Sequence, residues 1–488
     1  MNLKWSRRSF LSSLGVASGG LVTPRELALA KQSSSKEANP AVNGAPIVPI
    51  KSGLGSTGNV YAELGVTPLV NINGTLTVIG GSVMPAEVIE VLRQGNEHCV
   101  SIDDLEVAAG NWMAKLCKWP ADYTGLVTGG AAAGILVGYA GMMTEDLMPR
   151  IRSIPHVAGF PKTEVIVQKA HRNPFDHQIR QTGATLVEVE TKEQMINAIN
   201  PKTLAIHFLH INEDKGQVSG AEILDIAKAH GIYAFNDAAA DVPPIDRLWT
   251  FAQQGWDLIV FSGGKDIKGP QATGLLIGRA QLLHYALLNM SPQEDTIGRA
   301  CKVGKEEVVG FLKALELFVN QNYEETLSGY DADAKLITDA LQRFGVTEVP
   351  RRYDPNGLGN VTPHYSWRID PSKVKLDRTE VMEQLAATRP VAIGTLGAGA
   401  GGATGRWPEG DTEQDVQEGT LEWNPQTQSL TPASSPWSNR AEGQHGAGRS
   451  REDQDPQVFG FAVWQLKKGE AKIVADRLVE IFSQAPKA

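Results

Sequence analysis

The sequence predicts an α/β protein with a mostly parallel, buried sheet and a second, smaller α+β domain. From about Thr163, short apolar segments alternate with amphipathic helical segments, which is typical of βαβ units. After Arg279, longer helical segments replace this alternation, and the chain finishes with a strand and a helix. A chain of 488 residues is long enough to form two or three domains with sizeable cores.

The segments of the larger domain can be assigned in order. TEVIVQKA and ATLVEVE read as strands, EQMINAIN as a helix and TLAIHFLH as a third strand. AEILDIAKAH reads as a helix that ends at Gly231, and IYAFNDAA, WDLIVFSGG and GLLIGR follow as strands. Ligands bind at the carboxyl ends of the strands in such sheets. We therefore expect Asp237 and the turn Ser262–Lys265 at the binding edge.

The remainder of the chain indicates a smaller domain with an interruption. KEEVVGFLKALELFVN and AKIVADRLVEIF have helical periodicity, and FGFAVWQL reads as a strand. Residues 394–457 are rich in Gly, Ser, Gln and charged residues, so we predict a largely unstructured insertion there. We assign residues 59–300 to the larger domain, and residues 301–393 with 458–488 to the smaller one.

The N-terminus has the pattern of an export signal. Lys4, Arg7 and Arg8 precede a modest apolar run and a small-residue ALA site, and SRRSFL resembles the twin-arginine motif. The run is too short and too rich in Ser and Gly to span a bilayer. We predict that residues 1–30 are a signal peptide and that the protein is periplasmic or otherwise extracytoplasmic. A disordered basic tail is the alternative. Residues 31–58 read as a linker.

The composition limits the classes of partner and site. The net charge is −9, and no basic block follows the first residues, which argues against a nucleic-acid partner. Cys99, Cys117 and Cys301 lie far apart, without the spacing of a metal site or a disulfide framework. His207 and His210 would point to opposite faces of a strand, so we predict no metal site there.

A glycine-rich turn carries the most informative lysine. FSGGKDIKG places Lys265 directly after a buried strand, where glycines let the backbone approach a ligand. A lysine amine there can form a Schiff base with an aldehyde cofactor if desolvation or neighbouring cations lower its pKa from about 10.4. The alternative is an exposed loop lysine. Lys268, in the same turn, is a rival Schiff-base residue.

An aspartate one βα unit earlier makes pyridoxal phosphate the predicted cofactor. Asp237 ends the strand IYAFND, 28 residues before Lys265. Pyridoxal phosphate requires a carboxylate beside its ring nitrogen to keep that nitrogen protonated. The alternative role for Asp237 is that of a helix N-cap.

Two further features match the other parts of this cofactor. Gly129, Gly130, Ala131 and Ala132 open a small-residue helix whose backbone N–H groups can bind phosphate, although such glycines also serve close helix packing. Ser262 can add a hydroxyl group to the phosphate.

A histidine is the candidate for stacking on the cofactor ring. His171 follows the strand TEVIVQKA, where its flat side chain can cover the exposed ring face. A surface or N-cap histidine is the alternative interpretation.

The order of these features resembles the fold-type-I pyridoxal phosphate enzymes. INGTLTVIGGSVMP, FNDAAADVPP and DLIVFSGGKDIKGPQATGLLIG resemble the branch that contains bacterial selenocysteine synthase and D-glucosaminate-6-phosphate ammonia-lyase. HINEDKG is similar to a turn of the cysteine desulfurases, which implies that Asn212 lies near the phenolic oxygen of the cofactor. The resemblance covers roughly Val60 to Ile393 and resumes at FGFAVWQL.

The resemblance implies an aminotransferase-like fold with a seven-stranded large-domain sheet and a homodimer or larger homo-oligomer. It implies α,β-elimination or β-replacement on an amino acid or amino-sugar acid, with Lys265 acting as the general base. An aminotransferase or desulfurase-like enzyme, or an inactive exported binding protein, are the alternatives. The export signal and the acidic charge argue against a tRNA substrate.

Arginine is suited to the substrate carboxylate because it can bind in a bidentate manner. Arg368, in PHYSWRID, is our first candidate for this role, and Arg389, in TRPVAIG, is the second.

Overall fold

The computed structural model describes residues 54–387, 392–394, 421–424, 429–432 and 455–487. The predicted signal peptide, most of the linker, most of the insertion and Arg389 lie outside these ranges. The chain divides into two compact units, residues 1–68 and 69–488. In the first unit, α1 spans Val60–Glu63, and Asn59 Oδ1 accepts a hydrogen bond from Ala62 N at its start. Within the described part of the chain, no helix is both long and apolar enough to cross a membrane.

The second unit contains a large domain of alternating strands and helices. Its elements are β1 (Leu69–Asn71), α2 (Ala86–Gly95), α3 (Ile102–Leu116), β2 (Tyr123–Thr128), α4 (Ala131–Thr144), α5 (Met148–Ser153), β3 (Glu164–Gln168), α6 (His177–Gln181), β4 (Thr185–Val189), α7 (Lys192–Ala198), β5 (Thr203–Leu209), α8 (Gly220–His230), β6 (Tyr233–Asp237), α9 (Arg247–Gln254), β7 (Leu258–Ser262), β8 (Gly274–Arg279) and α10 (Ala280–Leu288). The predicted end of α8 is confirmed, because Gly231 follows it in the left-handed conformation that favours glycine.

Seven of these strands form one mixed sheet in the order β2-β8-β7-β6-β5-β3-β4. Strands β3 to β7 run parallel to their neighbours in this group, whereas β8 is antiparallel to both β2 and β7. The sheet is covered on both faces, and every residue from Leu258 to Phe261 in β7 is fully buried. The predicted α/β class, with a mostly parallel seven-stranded sheet, is confirmed.

Helix α4 packs across this sheet because it is apolar on all sides and rich in glycine. All its residues from Ala133 to Thr144 are buried. A Cβ atom on Gly141 would lie 2.6 Å from Ala286 N in α10, and one on Gly138 would lie 2.9 Å from Phe235 Cε2 in β6. The glycines therefore allow close packing, which holds the first residue of α4 near the carboxyl edge of the sheet.

The remaining elements are two long helices, of which the first packs into the core of the large domain, and those of a smaller domain. They are α11 (Lys305–Asn320), α12 (Tyr323–Leu341), β9 (Thr347–Arg352), β10 (His364–Arg368), α13 (Arg378–Ala386), β11 (Ala392–Gly394), β12 (Leu421–Asn424), β13 (Ser429–Pro432), β14 (Val458–Phe461) and α14 (Glu470–Gln484). Strands β14, β10 and β9 form an antiparallel sheet, so the chain returns to the same small sheet after residues 394–457. A separate core containing Trp367, Phe459 and Leu478 holds this domain together.

Two details of the smaller domain differ from the sequence prediction. The strand predicted for FGFAVWQL ends at Phe461, because Ala462 N turns away to donate a hydrogen bond to Ile72 O at 2.9 Å. Residues Val463–Gln465 form a 3-10 turn instead. Inside the predicted unstructured insertion, β12 and β13 pair as an antiparallel hairpin.

Candidate active site

The sheet brings the predicted site residues to one edge. Gly274, the first residue of β8, pairs with Ser262 on one side and Thr128 on the other. On the next strands, Asp237 pairs with Val260 and with Leu209. The start of α4, the end of β7 and the end of β6 are therefore neighbours, which is where an α/β sheet binds ligands.

The turn into α4 presents backbone N–H groups without a side-chain cap. Gly130 is the N-cap residue with φ of 100°, and a Cβ atom on it would meet nothing within 4 Å. The turn is held from below, because Thr128 Oγ1 donates to Gly130 O at 2.9 Å. Ala131 and Ala132 are partly exposed. Ser262 is also partly exposed, beside Gly274. This geometry is suited to an anion.

We predict that Gly274→Ala weakens cofactor binding by about ten-fold or more, because it displaces amides that bind a charged group. Its Cβ atom would lie 2.4 Å from Gly130 C and 2.5 Å from Ala131 N. Fluorescence titration of the cofactor-free protein measures the affinity. Gly278→Ala is the matched control, since its Cβ would lie 2.2 Å from Asp257 O at the other end of the same strand. If both variants lose stability but keep the affinity, the α4 turn does not bind the phosphate.

Asp237 is a buried carboxylate at the centre of this edge. It is 2% exposed, and its Oδ1 accepts a hydrogen bond from Ala239 N at 3.1 Å. Burial raises the pKa of Asp237 to about 6, against the lowering effect of the Ala239 hydrogen bond and of the charge on Lys265. At neutral pH this carboxylate is charged in a poorly solvated place, so a cationic partner would stabilise it.

Lys265 lies in a turn that is tied down on both sides. Ser82 Oγ donates to Gly264 O at 2.9 Å, and Lys268 N donates to Lys265 O at 2.9 Å. Burial lowers the pKa of the Lys265 amine, although the charges of Asp237 and other nearby carboxylates oppose this effect. A lowered pKa increases the fraction of neutral amine, which is the nucleophilic form.

His171 lies in the turn that follows β3, and its side chain is fully buried beside β5. Its Nδ1 accepts a hydrogen bond from Leu209 N at 3.2 Å, and its ring centroid is 4.9 Å from that of Phe208. On the other side, Gly216 approaches so closely that a Cβ atom would lie 2.7 Å from His171 Nε2. Burial lowers the pKa of His171 to about 4, so the ring is neutral at physiological pH. Its stacking on a cofactor stays a prediction.

Asn212 fastens the turn after β5 to the turn after β3. Its Nδ2 donates to Ala170 O at 3.0 Å, and its Oδ1 accepts from Lys215 Nζ at 2.9 Å. This places Asn212 beside the 3-10 turn Lys169–His171. Its contact with the cofactor stays a prediction.

The arginine predictions concern the smaller domain. Arg368 ends β10, and its Nη1 donates to Asp455 Oδ2 at 2.5 Å with both side chains partly exposed. A substrate carboxylate would therefore compete with Asp455 for this guanidinium group. Arg389 lies outside the described residues, so neither arginine is placed at the edge of the large sheet by the structure.

The two histidines that were considered as metal ligands, His207 and His210, both have polar neighbours inside the protein. His207 Nδ1 lies 3.0 Å from Tyr139 Oη, and His210 Nδ1 lies 2.7 Å from Asp241 Oδ1. Over the described ranges, no group of three or more His, Cys, Asp or Glu residues is arranged to hold a metal ion.

Comparison with known proteins shows the family. The chain is 30% identical over 271 residues to the D-glucosaminate-6-phosphate ammonia lyase of Salmonella typhimurium (strain 14028s / SGSC 2262). The aligned region is 53% of this chain and 70% of that enzyme. The chain belongs to this family of pyridoxal phosphate-dependent enzymes. The class-V aminotransferase model also matches, over residues 161–294. That range contains β3 to β8, and therefore both Asp237 and Lys265.

Other members of this enzyme group are similar over about the same portion of the chain. The 5'-C-glycyluridine monooxygenase-decarboxylase of a Streptomyces species is 29% identical over 52% of this chain and 64% of its own length. The L-seryl-tRNA(Sec) selenium transferase of Rhizobium meliloti (strain 1021) is 24% identical over 51% of this chain and 56% of its own length. The solved structure of a D-glucosaminate-6-phosphate ammonia-lyase has the same fold, with a TM-score of 0.66 and 23% identity over 88% of this chain and 99% of that one.

The residues at the edge fit the cofactor of the family. The buried Asp237 carboxylate suits the protonated ring nitrogen of the cofactor. Lys265 is the one cation among the groups that affect the pKa of Asp237, so the ring nitrogen would supply a further positive charge beside this carboxylate. The open turn at Gly130, with its uncapped N–H groups, suits the phosphate. Lys265 has a lowered pKa, as attachment of an aldehyde requires.

Sequence reasoning missed a network that joins the two domains beside this edge. Asp241 Oδ1 accepts a hydrogen bond from Gly359 N at 3.0 Å, and Arg247 Nη1 donates to Gly359 O at 2.5 Å. Asn360 Nδ2 donates to Asp266 Oδ2 at 3.1 Å, next to Lys265. The pairs are 94 to 118 residues apart in the chain. Asp241 was visible in the motif FNDAAADVPP, but nothing in the spacing identifies Gly359 as its neighbour or Asn360 as the neighbour of Asp266.

Proposed function

We propose that the chain is a lyase that catalyses α,β-elimination on an amino acid or amino-sugar acid. The observation that carries this proposal is the position of Lys265, in the turn after β7, at the same sheet edge as the buried Asp237 carboxylate that ends β6. The similarity to an ammonia lyase over 70% of that enzyme favours elimination over transamination. β-Replacement, as performed by a transferase, uses the same first steps and is the second candidate.

Pyridoxal phosphate, when bound, supplies an electron sink for the charge that develops at the substrate Cα. Asp237 would stabilise the protonated ring nitrogen, and the N–H groups of Ala131 and Ala132, with the Ser262 hydroxyl, would hold the phosphate. Lys265 takes the α-proton at its Nζ atom, which requires the neutral amine that burial favours.

The proposal includes two assignments from the sequence alone. We propose that residues 1–30 direct export and that the active protein is a homodimer or larger homo-oligomer. Fractionation of cells that produce the chain with Arg7 and Arg8 replaced by lysine tests the first assignment. Light scattering of the purified protein tests the second.

The reaction type can be tested with the purified, cofactor-loaded protein. Amino acids and amino-sugar acids are supplied singly, and released ammonia and 2-keto acid are both measured. Elimination is expected to give equal amounts of the two without an added acceptor. If turnover instead requires a 2-keto acid and yields its amino acid, the enzyme is an aminotransferase. If added thiols or other nucleophiles are incorporated at Cβ, the enzyme performs β-replacement.

A further inference from the structure

A cleft of about 560 Å³ opens directly beside the lysine turn. Asp266, Ile267 and Lys268 form one wall, and the end of α11 and the start of α12 form the opposite wall. Pro243 and Thr362 contribute from the large and small domains. The cleft therefore adjoins the turn that carries Lys265.

Hydroxyl-bearing side chains line the cleft together with apolar residues. Tyr323, Tyr330 and Thr362 line the cleft, and Tyr323 Oη is oriented by a hydrogen bond to Val361 O at 3.0 Å. Burial, with a further contribution from the charge of Asp266, raises the pKa of Tyr330, so its phenol stays protonated. Such a surface can donate to and accept from the hydroxyl groups of a polyol chain.

The charges of the cleft do not favour a phosphate group. Lys268 lines the cleft, but it interacts with Asp266 in the same turn. Glu316, on the opposite wall, forms an ion pair with Lys313 at 2.6 Å. Lys268 is thus the one lysine among the described lining residues, and the negative charge of Asp266 offsets its positive charge.

The start of α12 does not add a phosphate site. Asn322 Oδ1 already accepts a hydrogen bond from Glu325 N at this end. Glu324 and Glu325 place two carboxylates in the first turn. Acidic side chains at a helix start satisfy the helix dipole and repel a second anion.

Asp266 is held in place from the other domain. Asn360 Nδ2 donates to Asp266 Oδ2 at 3.1 Å, and the flanking Val361 N donates to Pro243 O at 2.8 Å. Burial raises the pKa of Asp266 to about 6, and the Asn360 hydrogen bond and nearby lysines act against this rise. Asp266 is partly exposed and lines the cleft, so a donor in the cleft can reach its carboxylate.

We propose that this cleft binds the distal part of the substrate, that Asp266 accepts hydrogen bonds there from hydroxyl or ammonium groups, and that the cleft selects an unphosphorylated polyhydroxy chain. This inference rests on the proposed function, because it assigns the distal end of the same substrate. It differs from the phosphorylated substrate in the name of the Salmonella relative. Asn360 acts through Asp266 and is a positioning residue.

Two sugar acids without an amino group test the proposal without turnover. Calorimetry on the cofactor-loaded protein compares gluconate with 6-phosphogluconate, which differ in the distal phosphate alone. We expect gluconate to bind at least about ten-fold more tightly, because the phosphate meets the Asp266 carboxylate at short range. In Asp266→Asn this preference should fall to roughly two-fold or less, since the repelling charge is gone. Asn360→Ala should lower it in the same direction.

Matched variants separate this proposal from loss of folding and from the proposed function. Asp225→Asn removes an exposed carboxylate of α8 and should change neither affinity. Tyr330→Phe deletes one cleft hydroxyl group and should weaken gluconate binding. Thermal unfolding monitors folding, and the visible absorbance of the loaded protein tests cofactor attachment independently of both ligands.

Each contrary result has a defined meaning. Tighter binding of 6-phosphogluconate that is lost in Lys268→Met would overturn the proposal and make the cleft a phosphate site. Absence of binding by both ligands would also overturn it. If the visible absorbance shows that pyridoxal phosphate does not attach, the proposed function fails; the same titrations on that cofactor-free protein then show whether the preference of the cleft for gluconate stands by itself.

Discussion

Lys265→Ala is expected to lower the turnover rate by at least about 10⁴-fold, because one residue supplies both cofactor attachment and proton transfer. The amine is suited to both roles by its burial, which lowers its pKa, and by the hydrogen bonds that fix its turn. The variant should still bind pyridoxal phosphate through the other contacts, but the absorbance of the bound cofactor should be that of the free aldehyde. Steady-state kinetics and the absorbance spectrum measure the two effects.

Lys268→Ala is the matched control in the same turn. Lys268 adopts φ of 57°, lines the cleft and interacts with Asp266, so its loss should alter substrate affinity more than the maximal rate. We expect its maximal rate to stay within about ten-fold of the parent protein. If Lys268→Ala abolishes turnover and Lys265→Ala retains it, the two lysines have the opposite roles.

Asp237→Asn is expected to lower the turnover rate by about 10²- to 10³-fold, because asparagine cannot balance a protonated ring nitrogen. The side chain has nearly the same shape and can still accept the hydrogen bond from Ala239 N. The loss should therefore appear mainly in the maximal rate, with folding preserved. Steady-state kinetics and the pH dependence of the cofactor absorbance check this result.

The same substitution should stabilise the cofactor-free protein at neutral pH. The pKa of Asp237 rises from 3.8 to about 6 on folding, so the unfolded chain loses this proton first. Stability then falls as the pH rises from about 4 to 6, and the cost remains above 6. Asp237→Asn should recover at most about 3 kcal/mol at pH 7.5 and close to nothing at pH 4. Thermal unfolding at both pH values measures this.

An exposed carboxylate provides the control for that experiment. Asp225→Asn in α8 should leave the unfolding temperature unchanged at both pH values. If Asp237→Asn shifts the unfolding temperature by the same amount at pH 4 and pH 7.5, the charge of the Asp237 carboxylate does not destabilise the folded protein, which would contradict this prediction.

Local sequence signals were sufficient for most of the large domain. Strands such as β5, β6 and β7 are short, apolar and bounded by polar or glycine residues, so their limits follow from composition. The antiparallel direction of β8 could not be predicted, because GLLIGR has the same pattern in either direction. In the smaller domain, the predicted strand FGFAVWQL ends at Phe461 because of a tertiary hydrogen bond to Ile72, which leaves no local pattern.

In the candidate site, too, some features could be predicted from the sequence and others could not. The shared location of Asp237 and Lys265 could be predicted, because Asp237 ends β6, Lys265 follows β7, and a parallel sheet brings such ends together. The contact of Asn360 with Asp266 arises from domain packing across 94 residues, so spacing could not reveal it. Arg368 was predicted to bind a substrate carboxylate, but its carboxylate partner within the chain is Asp455, which lies near the end of the predicted insertion.

The account depends most directly on the attachment of pyridoxal phosphate to Lys265. The decisive measurement is the absorbance spectrum of protein purified without added cofactor, before and after borohydride reduction, followed by peptide mapping. We expect a band near the edge of the visible range, its loss on reduction, and recovery of the label on Lys265. A colourless protein that added pyridoxal phosphate cannot reconstitute, or a label on Lys268, would contradict the account.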